Sequence, residues 1–319
     1  MEYLFAPMEG ITGAQFRQAH HGVFPETDRY YLPFAAPNQN HSFSPKELRD
    51  LLPENNRGLH AVPQLMVNRG DLAVQAAREL KELGYSEVNL NLGCPSQTVV
   101  TKGKGAGLLR DLEKLDQFLD TVFQDCPIQV SVKTRLGLES EEEFGPILEI
   151  FQKYPLSQLI LHPRVQKDQY RHPVRPSAFA RAYANCSIPL VYNGDLLYPE
   201  DCRKIAEQYP KLAGIMVGRG LLRDPGLITQ CKTSRPTTAG QVRRFHDLYY
   251  RAWAEQAYGD KQLLCKMKEL WTFLIRGFTD DGTYGKRIRK CSRATEYEQI
   301  VEGLFRDLQY APERKETEP

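Results

Sequence analysis

The 319-residue sequence has no run of about 18 apolar residues, the length that a membrane-spanning helix requires. Its first residues, MEYLFAPMEG, include an acidic second residue and no basic stretch followed by an apolar segment, so no signal peptide is predicted. Hydrophobic residues make up 41% of the chain and charged residues 26%, as in ordinary globular proteins. We therefore expect a cytoplasmic protein without membrane association.

The sequence also lacks the spacings that bind metals or form disulfide frameworks. Its seven cysteines are an odd number without a C-x-x-C pair, and its seven histidines contain no H-E-x-x-H motif. This pattern favours a reducing compartment and predicts no metal site. The cysteines are Cys94, Cys126, Cys186, Cys202, Cys231, Cys265 and Cys291.

The net charge of +2 is distributed unevenly along the chain. Residues 1–235 carry 27 basic and 27 acidic side chains, whereas residues 236–293 carry 12 basic and 6 acidic ones. A local excess of this size suggests a polyanionic partner. The alternative is a solvated helical surface without a partner.

Short apolar runs alternate with amphipathic stretches as far as about residue 220. Helix patterns at 71–83, followed by Gly84, and at 112–123 show apolar residues at about 3.6-residue spacing. Eight strands alternating with helices predict a (β/α)₈ TIM barrel, and a doubly wound open sheet is the alternative. The predicted strands cover 3–7, 30–35, 61–67, 87–92, 128–133, 158–162, 189–193 and 213–217.

Beyond residue 235 the pattern changes. A linker, RPTTAG at 235–240, precedes helix patterns at 241–257, 261–275 and 296–308, which contain many aromatic and basic residues. We therefore predict a barrel domain over 1–235 and a helical domain over 236–310. The remaining residues, 311–319, have the composition of a disordered tail.

Unusual polar residues lie at the ends of the predicted strands, where TIM barrels carry their functional residues. Any one of them is more often a satisfied polar group of the barrel, but their joint placement favours a site. They are Pro7 and Met8 after the first strand, Gln64 in the third, Asn91 and Cys94 at the fourth, Lys133 and Arg135 at the fifth, His162 and Arg164 at the sixth, Asn193 and Asp195 at the seventh, and Gly218 and Arg219 at the eighth.

The last two strand ends predict a phosphate site. Asn193-Gly194 and Gly218-Arg219-Gly220 supply accessible backbone N–H groups and a guanidinium, and a short helix N-terminus adds its dipole. The alternative is that these glycines only form turns.

Three other residues fit a flavin. Lys133, a cation at the end of an apolar strand, could stabilise the negative charge of a reduced flavin ring, and Gln64 offers that ring a donor and an acceptor. Cys94 lies on a loop, where a thiol could donate a proton to a carbon atom during reduction, although a buried structural cysteine is the commoner case. The following loop, with Lys102 and Lys104, is glycine-rich and basic but lacks the order of a Walker A motif.

The ordered motifs resemble those of the bacterial tRNA-dihydrouridine synthases over about residues 1–310. The matching segments are APMEGIT at 6–12, LNLGCPS at 90–96, KGKGAGLLRD at 102–111, VKTRLG at 132–137, HPR at 162–164, YNGD at 192–195 and VGRG at 217–220. The helical region matches that family's tRNA-binding domain by position and charge.

This resemblance implies an enzyme that reduces uridine in tRNA with FMN and NADPH, in which Cys94 protonates C5 of the uracil. It assigns FMN binding to Pro7, Met8, Gln64, Lys133, His162, Asn193, Asp195, Gly218 and Arg219. Asn91, Arg135 and Arg164 would lie near the substrate, which must be turned out of the folded RNA. Further RNA contacts are expected from Lys102, Lys104, Lys286, Arg287, Arg289 and Lys290. A monomer is expected.

The chain departs from the family where His-Gly-Arg-Thr is usual, because it has His162-Pro163-Arg164-Val165, and the segment 168–175 is also unusual. Pro163 lacks a backbone donor, which could alter one substrate or phosphate contact. Two alternatives stay open: a small-molecule flavoenzyme of the dihydroorotate dehydrogenase type, and a tRNA-binding protein that has lost catalysis.

Overall fold

The computed structural model describes residues 1–313 and contains one sheet of parallel strands. The strand order is β3-β2-β1-β9-β8-β7-β6-β5-β4. The strands are β1 (Glu2–Phe5), β2 (Arg29–Tyr31), β3 (Ala61–Val62), β4 (Gln64–Leu65), β5 (Glu87–Leu92), β6 (Gln129–Arg135), β7 (Leu159–His162), β8 (Leu190–Asn193) and β9 (Gly214–Val217).

The two ends of this order meet at Pro63. Strands β3 and β4 are the two halves of one predicted strand, interrupted by a proline that has no N–H to donate. Strand β3 pairs with β2 and β4 pairs with β5, so the sheet closes into a barrel of eight strand positions. The predicted TIM barrel is therefore confirmed, and the open doubly wound sheet is excluded.

The chain divides into two compact units. The first comprises Met1–Pro7, Asp28–Asp195 and Ile205–Met216, and the second comprises Met8–Thr27, Leu196–Lys204 and, of the described residues, 217–313. The first unit contains the barrel strands and the helices α2 (Pro45–Leu51), α3 (Gly70–Glu82), α4 (Gln97–Thr101), α5 (Leu112–Asp125), α6 (Phe144–Phe151) and α7 (Pro176–Asn185).

The second unit is helical. Its helices are α1 (Ala14–His21), α9 (Arg219–Arg223), α10 (Leu227–Thr233), α11 (Ala239–Ala254), α12 (Asp260–Leu274), α13 (Thr283–Lys290) and α14 (Ala294–Asp307), and α8 (Pro199–Gln208) crosses one point of the division. Its core includes Phe16 of α1, whose ring lies 5.1 Å from that of Phe245 and 5.7 Å from that of Tyr249. Both partners belong to α11.

Helix α11 begins where a capping box fixes it. The side chain of Thr238 accepts a hydrogen bond from the Gln241 N–H, and the Gln241 side chain accepts one from the Thr238 N–H. The helix therefore starts at Ala239, inside the predicted linker.

Within residues 1–313, no helix is long and apolar enough to cross a membrane. At the predicted disordered tail, the Ala311 N–H donates to the carbonyl of Gly277 at 2.8 Å. The rest of that tail, residues 314–319, lies outside the described residues.

Candidate active site

The inner faces of β5 and β6 carry polar residues in register. Asn89 pairs with Ser131 and Asn91 pairs with Lys133 across these parallel strands. Because side chains alternate between the two faces of a strand, the intervening residues of β5 point the other way. The barrel interior therefore carries a row of polar groups that leads to the carboxyl ends of these strands, next to Cys94.

Asn91 shapes the loop that carries Cys94. Its Oδ1 accepts hydrogen bonds from the backbone N–H groups of Gly93 at 3.2 Å and Cys94 at 2.9 Å. Its Nδ2 donates to Gln64 Oε1 at 2.8 Å. The family resemblance assigns Asn91 to substrate contact, and in this structure its amide positions the half-buried Cys94.

The glycine-rich loop packs directly against Cys94. The Ala106 N–H donates to the Cys94 carbonyl at 3.1 Å. Gly105 has φ +55°, and a Cβ added there would lie 2.8 Å from Cys94 Cβ, so no larger residue fits without displacement. Lys102 is exposed at the start of this loop and Lys104 is half-buried.

Lys133 is a cation in an unfavourable environment. Burial, reinforced by the nearby Arg135 guanidinium, lowers the pKa of Lys133 to about 7. Within residues 1–313, its ammonium group takes part in no hydrogen bond or ion pair. A half-buried cation of this kind fits an anionic group bound beside Cys94, such as the ring of a reduced flavin.

Arg135 fastens the Cys94 loop to the segment after β7. Its Nε donates to the Gly93 carbonyl at 3.0 Å, and its Nη1 donates to the carbonyls of Val165 at 3.0 Å and Gln169 at 2.9 Å. The side chain is 1% exposed, and its buried Nη2 has no hydrogen-bond partner among the described residues. Burial lowers the pKa of Arg135. The unused Nη2 hydrogens fit a polar ligand atom at this position.

Nearly all hydrogen-bond donors of the Arg164 guanidinium are used by other groups of the protein. It forms a two-pronged ion pair with Asp195, with Nη1–Oδ1 at 2.9 Å and Nη2–Oδ2 at 2.5 Å. Its Nη1 also lies 2.9 Å from His162 Nε2, and its Nε donates to the His172 carbonyl at 2.6 Å. The structure thus brings together three predicted site residues, and one hydrogen of Nη2 is left for a ligand.

The unusual segment after β7 has its own anchors. The Asp168 carboxylate accepts from the Val165 N–H at 3.1 Å and pairs with Arg175 at 3.0 Å. The carbonyl of Pro163 accepts from the Arg175 N–H at 2.8 Å. Gln166 Nε2 donates to the carbonyl of Pro95, so this segment also contacts the Cys94 loop.

Gln64 and Asn193 hold neighbouring strands together. Gln64 is 1% exposed and donates from Nε2 to Asn89 Oδ1 at 2.8 Å, so one amide hydrogen and one acceptor site of Gln64 are available to a ligand. Asn193 Nδ2 donates to the Met216 carbonyl at 2.8 Å. A Cβ added to Gly194 would lie 2.7 Å from Val174 Cγ1, which requires glycine there.

Pro7 is half-buried after β1 and belongs to the first unit. Three of the nine predicted cofactor residues, Met8, Gly218 and Arg219, belong to the second unit. The Met8 N–H donates to Thr12 Oγ1 at 2.8 Å, which closes a tight turn. Gly218 caps α9, and Arg219 is exposed in its first turn. No contact within the described residues assigns these three to a cofactor.

Helix α13 presents the predicted basic cluster. Ile288 and Gly285 are buried on one side of the helix. The four cations of α13 are exposed and form no ion pair within the described part of the chain. They are Lys286, Arg287, Arg289 and Lys290.

Sequence reasoning missed the interior residues Glu87, Asn89 and Ser131. All three are no more than 4% exposed, and Ser131 is hydrogen-bonded to both Glu87 and Asn89. The alternation of polar and apolar residues in EVNLNL at 87–92 was the available signal, because a strand buried on both faces is usually apolar throughout.

Two curated bacterial relatives illustrate the similarity to known proteins. The tRNA-dihydrouridine(16) synthase of Shigella flexneri is 34% identical over 171 residues, which cover 52% of this chain and 53% of that protein. The probable tRNA-dihydrouridine synthase 1 of Synechocystis sp. is 28% identical over 229 residues, which cover 70% of this chain and 62% of that protein. The alignments thus span between half and two thirds of these relatives.

Solved structures show the same fold at low sequence identity. The old yellow enzyme from Trypanosoma cruzi aligns with a TM-score of 0.56 at 8% identity, over 76% of this chain and 91% of that one. Morphinone reductase in complex with tetrahydroNAD aligns with a TM-score of 0.54 at 11% identity, over 76% and 90%. These similarities support the barrel architecture.

The family comparison covers almost the whole sequence. The match to the dihydrouridine synthase (Dus) family extends from residue 4 to residue 309, through the barrel strands and the helices that follow. The chain therefore belongs to the dihydrouridine synthase family.

Proposed function

We propose that the protein is a tRNA-dihydrouridine synthase that reduces the C5–C6 double bond of uridine with FMN and NADPH. The observation that carries the proposal is Cys94, which is bound by Asn91 and packed against Gly105 on a loop beside the half-buried cation Lys133. When bound and reduced, FMN supplies the hydride for C6 of the uracil. The Cys94 thiol donates the proton to C5, which completes the addition of two hydrogens.

In the first unit, Gln64 and Lys133 are proposed to bind the flavin ring. Gln64 offers one donor and one acceptor, and Lys133 offers a positive charge to an electron-rich ring. His162, Asn193, Asp195 and Pro7 complete the proposed cofactor set of this unit. In the second unit, Met8, Gly218 and Arg219 are proposed from the family motifs.

The uracil is proposed to lie near Asn91, Arg135 and Arg164. The buried Nη2 of Arg135 can donate to a uracil carbonyl, and the remaining Nη2 hydrogen of Arg164 can do the same. Asn91 contributes by fixing the Cys94 loop. A base inside folded tRNA must be turned out to reach these groups.

The helical segment 236–310 is proposed as the tRNA-binding domain. The exposed cations of α13 can contact phosphates without reading sequence, and Lys102 and Lys104 can do so beside Cys94. If these cations formed only a solvated surface, they would make no contact with tRNA phosphates.

The test is an absorbance spectrum of the purified protein under air-free conditions, followed by NADPH and then unmodified tRNA. Flavin bands that bleach with NADPH and return only with tRNA are the expected result. Bands that respond to a small oxidant such as orotate and ignore tRNA would favour the dihydroorotate dehydrogenase type. A protein that binds tRNA but cannot be loaded with FMN would favour the non-catalytic alternative.

A further inference from the structure

A continuous series of buried hydrogen bonds runs through the barrel interior towards Cys94. We call its members, Glu87, Ser131, Asn89, Gln64 and Asn91, the interior polar chain. Glu87, Asn89 and Asn91 occupy every second position of β5, so the interior polar chain extends for roughly 13 Å along this strand. The first four members are each no more than 4% exposed. Water therefore cannot easily replace a hydrogen-bond partner that one of them loses.

The direction of every bond follows from Glu87. Its carboxylate is paired with Arg29, with Nη1–Oε2 at 2.8 Å, and a carboxylate in such a pair only accepts hydrogen bonds. Ser131 therefore gives its single hydroxyl hydrogen to Glu87 Oε1, at 2.6 Å. The Ser131 oxygen can then only accept, and it accepts from Asn89 Nδ2 at 2.9 Å.

The same constraint passes through two further amides. Asn89 turns its Oδ1 towards Gln64, whose Nε2 donates at 2.8 Å. Gln64 then turns Oε1 towards Asn91 and accepts from its Nδ2 at 2.8 Å. The Oδ1 of Asn91 consequently faces the Gly93 and Cys94 N–H groups, which need an acceptor.

We propose that Glu87 is a positioning residue, whose acceptor-only carboxylate at the far end of β5 orients three successive amides and so holds the Cys94 loop. The importance of this loop for catalysis rests on the proposed function, but its orientation does not. An aligned series of donors also polarises each successive bond, which strengthens the whole chain.

Glu87→Gln is the sharpest test because it keeps the shape and reverses the direction. The oxygen of the introduced amide pairs with Arg29, and its NH₂ group donates to Ser131. Ser131, which also neighbours the Tyr31 phenol, is then expected to donate to Asn89. Each amide flips in turn, and Asn91 presents its NH₂ group to the loop N–H groups. Glu2→Gln is the matched control. Glu2 also pairs with Arg29, at 3.1 Å, but it is not a member of the interior polar chain.

The first measurement is hydrogen exchange of the FMN-loaded protein, read at the Gly93 and Cys94 amides. We expect exchange there to be at least about tenfold faster in Glu87→Gln, with β6 to β8 unchanged and Glu2→Gln like wild type. Wild-type exchange at these amides, or equal acceleration throughout the barrel, would overturn the proposal. This comparison is valid even if the protein forms no dihydrouridine.

The second measurement is turnover on unmodified tRNA. Glu87→Gln is expected to lower kcat at least about tenfold at unchanged KM, because the proton-donating loop is displaced. FMN is expected to stay bound, since the flipped Gln64 amide still offers one donor and one acceptor. If Glu87→Gln does not fold, Ser131→Ala breaks the interior polar chain at its second member and is expected to reproduce both effects. Where both variants fold, the double variant should be no slower than the slower single one, and additive losses would contradict a single chain.

Discussion

At the scale of single residues, Cys94 depends on one neighbouring residue and on two that are more distant in sequence. Asn91 binds its N–H, Ala106 binds its carbonyl, and Arg135 binds the preceding carbonyl of Gly93. The position of the cysteine after a strand could be predicted from the motif, but these three contacts could not. Asn91 lies in the same motif as Cys94, whereas Ala106 and Arg135 come from separate segments that the folded barrel brings together.

Lys133 should make the FMN-free protein more sensitive to acid. Its pKa falls from 10.5 to about 7 on folding, so between these values the unfolded chain binds more protons and stability rises with pH. Below pH 7 the full cost of the buried charge applies. We expect Lys133→Met to be more stable than wild type at pH 6, on the order of 3 kcal/mol, and this gain to shrink towards pH 10.

Urea unfolding at pH 6, 8 and 10 measures this difference. Lys167→Met, at a side chain that is 71% exposed, is the control and should show no pH-dependent gain. A constant difference between Lys133→Met and wild type across the range would show that Lys133 is not buried as a cation.

Gly105 should be required for turnover because of its contact with Cys94. Alanine there adds a Cβ at 2.8 Å from Cys94 Cβ in a backbone conformation with φ +55°. We expect Gly105→Ala to reduce dihydrouridine formation more than about tenfold, since small displacements of a catalytic group are costly.

Gly84→Ala is the matched control for this experiment. Gly84 also has a positive φ, +92°, but a Cβ added there meets nothing within 4 Å. Backbone strain should lower the free energy of unfolding of both variants by about 1 kcal/mol or more. Only Gly105→Ala should lose turnover. Equal turnover in the two variants would remove the role given to the Gly105 contact.

At the scale of elements, the sequence predicted the barrel strands and the longer helices well because their apolar periodicity is strong. It missed α13, since only Ile288 and the small Gly285 face inward there and the segment consists mainly of cations. Pro63 was also not recognised as an interruption, because the apolar residues at 61–62 and 65–67 continue the strand pattern on both sides of it.

Helix α13 should contribute to tRNA affinity through its exposed cations. Replacing Arg287 and Lys290 by Gln is expected to weaken tRNA binding and to make it less dependent on salt, by up to about 0.7–0.9 in the log–log slope for each phosphate that is no longer neutralised. Binding titrations at several salt concentrations measure both quantities. The control replaces Arg78 and Lys81 of α3, which are also exposed, by Gln.

The comparison of these two double variants separates a specific binding surface from general charge. An equal loss of affinity in both would show only the effect of net charge. An unchanged slope in the α13 variant would exclude α13 from the tRNA interface.

At the scale of the whole molecule, the sequence suggested a boundary at residue 235, whereas packing assigns Met8–Thr27 and Leu196–Lys204 to the helical unit. Composition along the chain could not indicate this, because the two segments join the unit only through tertiary structure. Phe16 is 1% exposed against Phe245 and Tyr249. The first helix of the chain therefore completes the core of a unit formed mainly by the C-terminal part of the chain.

Phe16→Ala should destabilise the helical unit by about 3–5 kcal/mol, the usual cost of removing a buried phenylalanine ring. Tryptophan fluorescence measures this directly, because both tryptophans, Trp253 and Trp271, lie in that unit. A urea midpoint equal to that of wild type would show that α1 is not part of its core.

The role of Cys94 is tested most directly by dihydrouridine formation on unmodified tRNA with NADPH, measured by mass spectrometry of the digested RNA. Cys94→Ala should lower the rate at least about 100-fold, the contribution of a positioned proton donor, while FMN stays bound and still bleaches with NADPH. Cys265→Ala, at an exposed cysteine of α12, should match wild type. A wild-type rate in Cys94→Ala would contradict the mechanism.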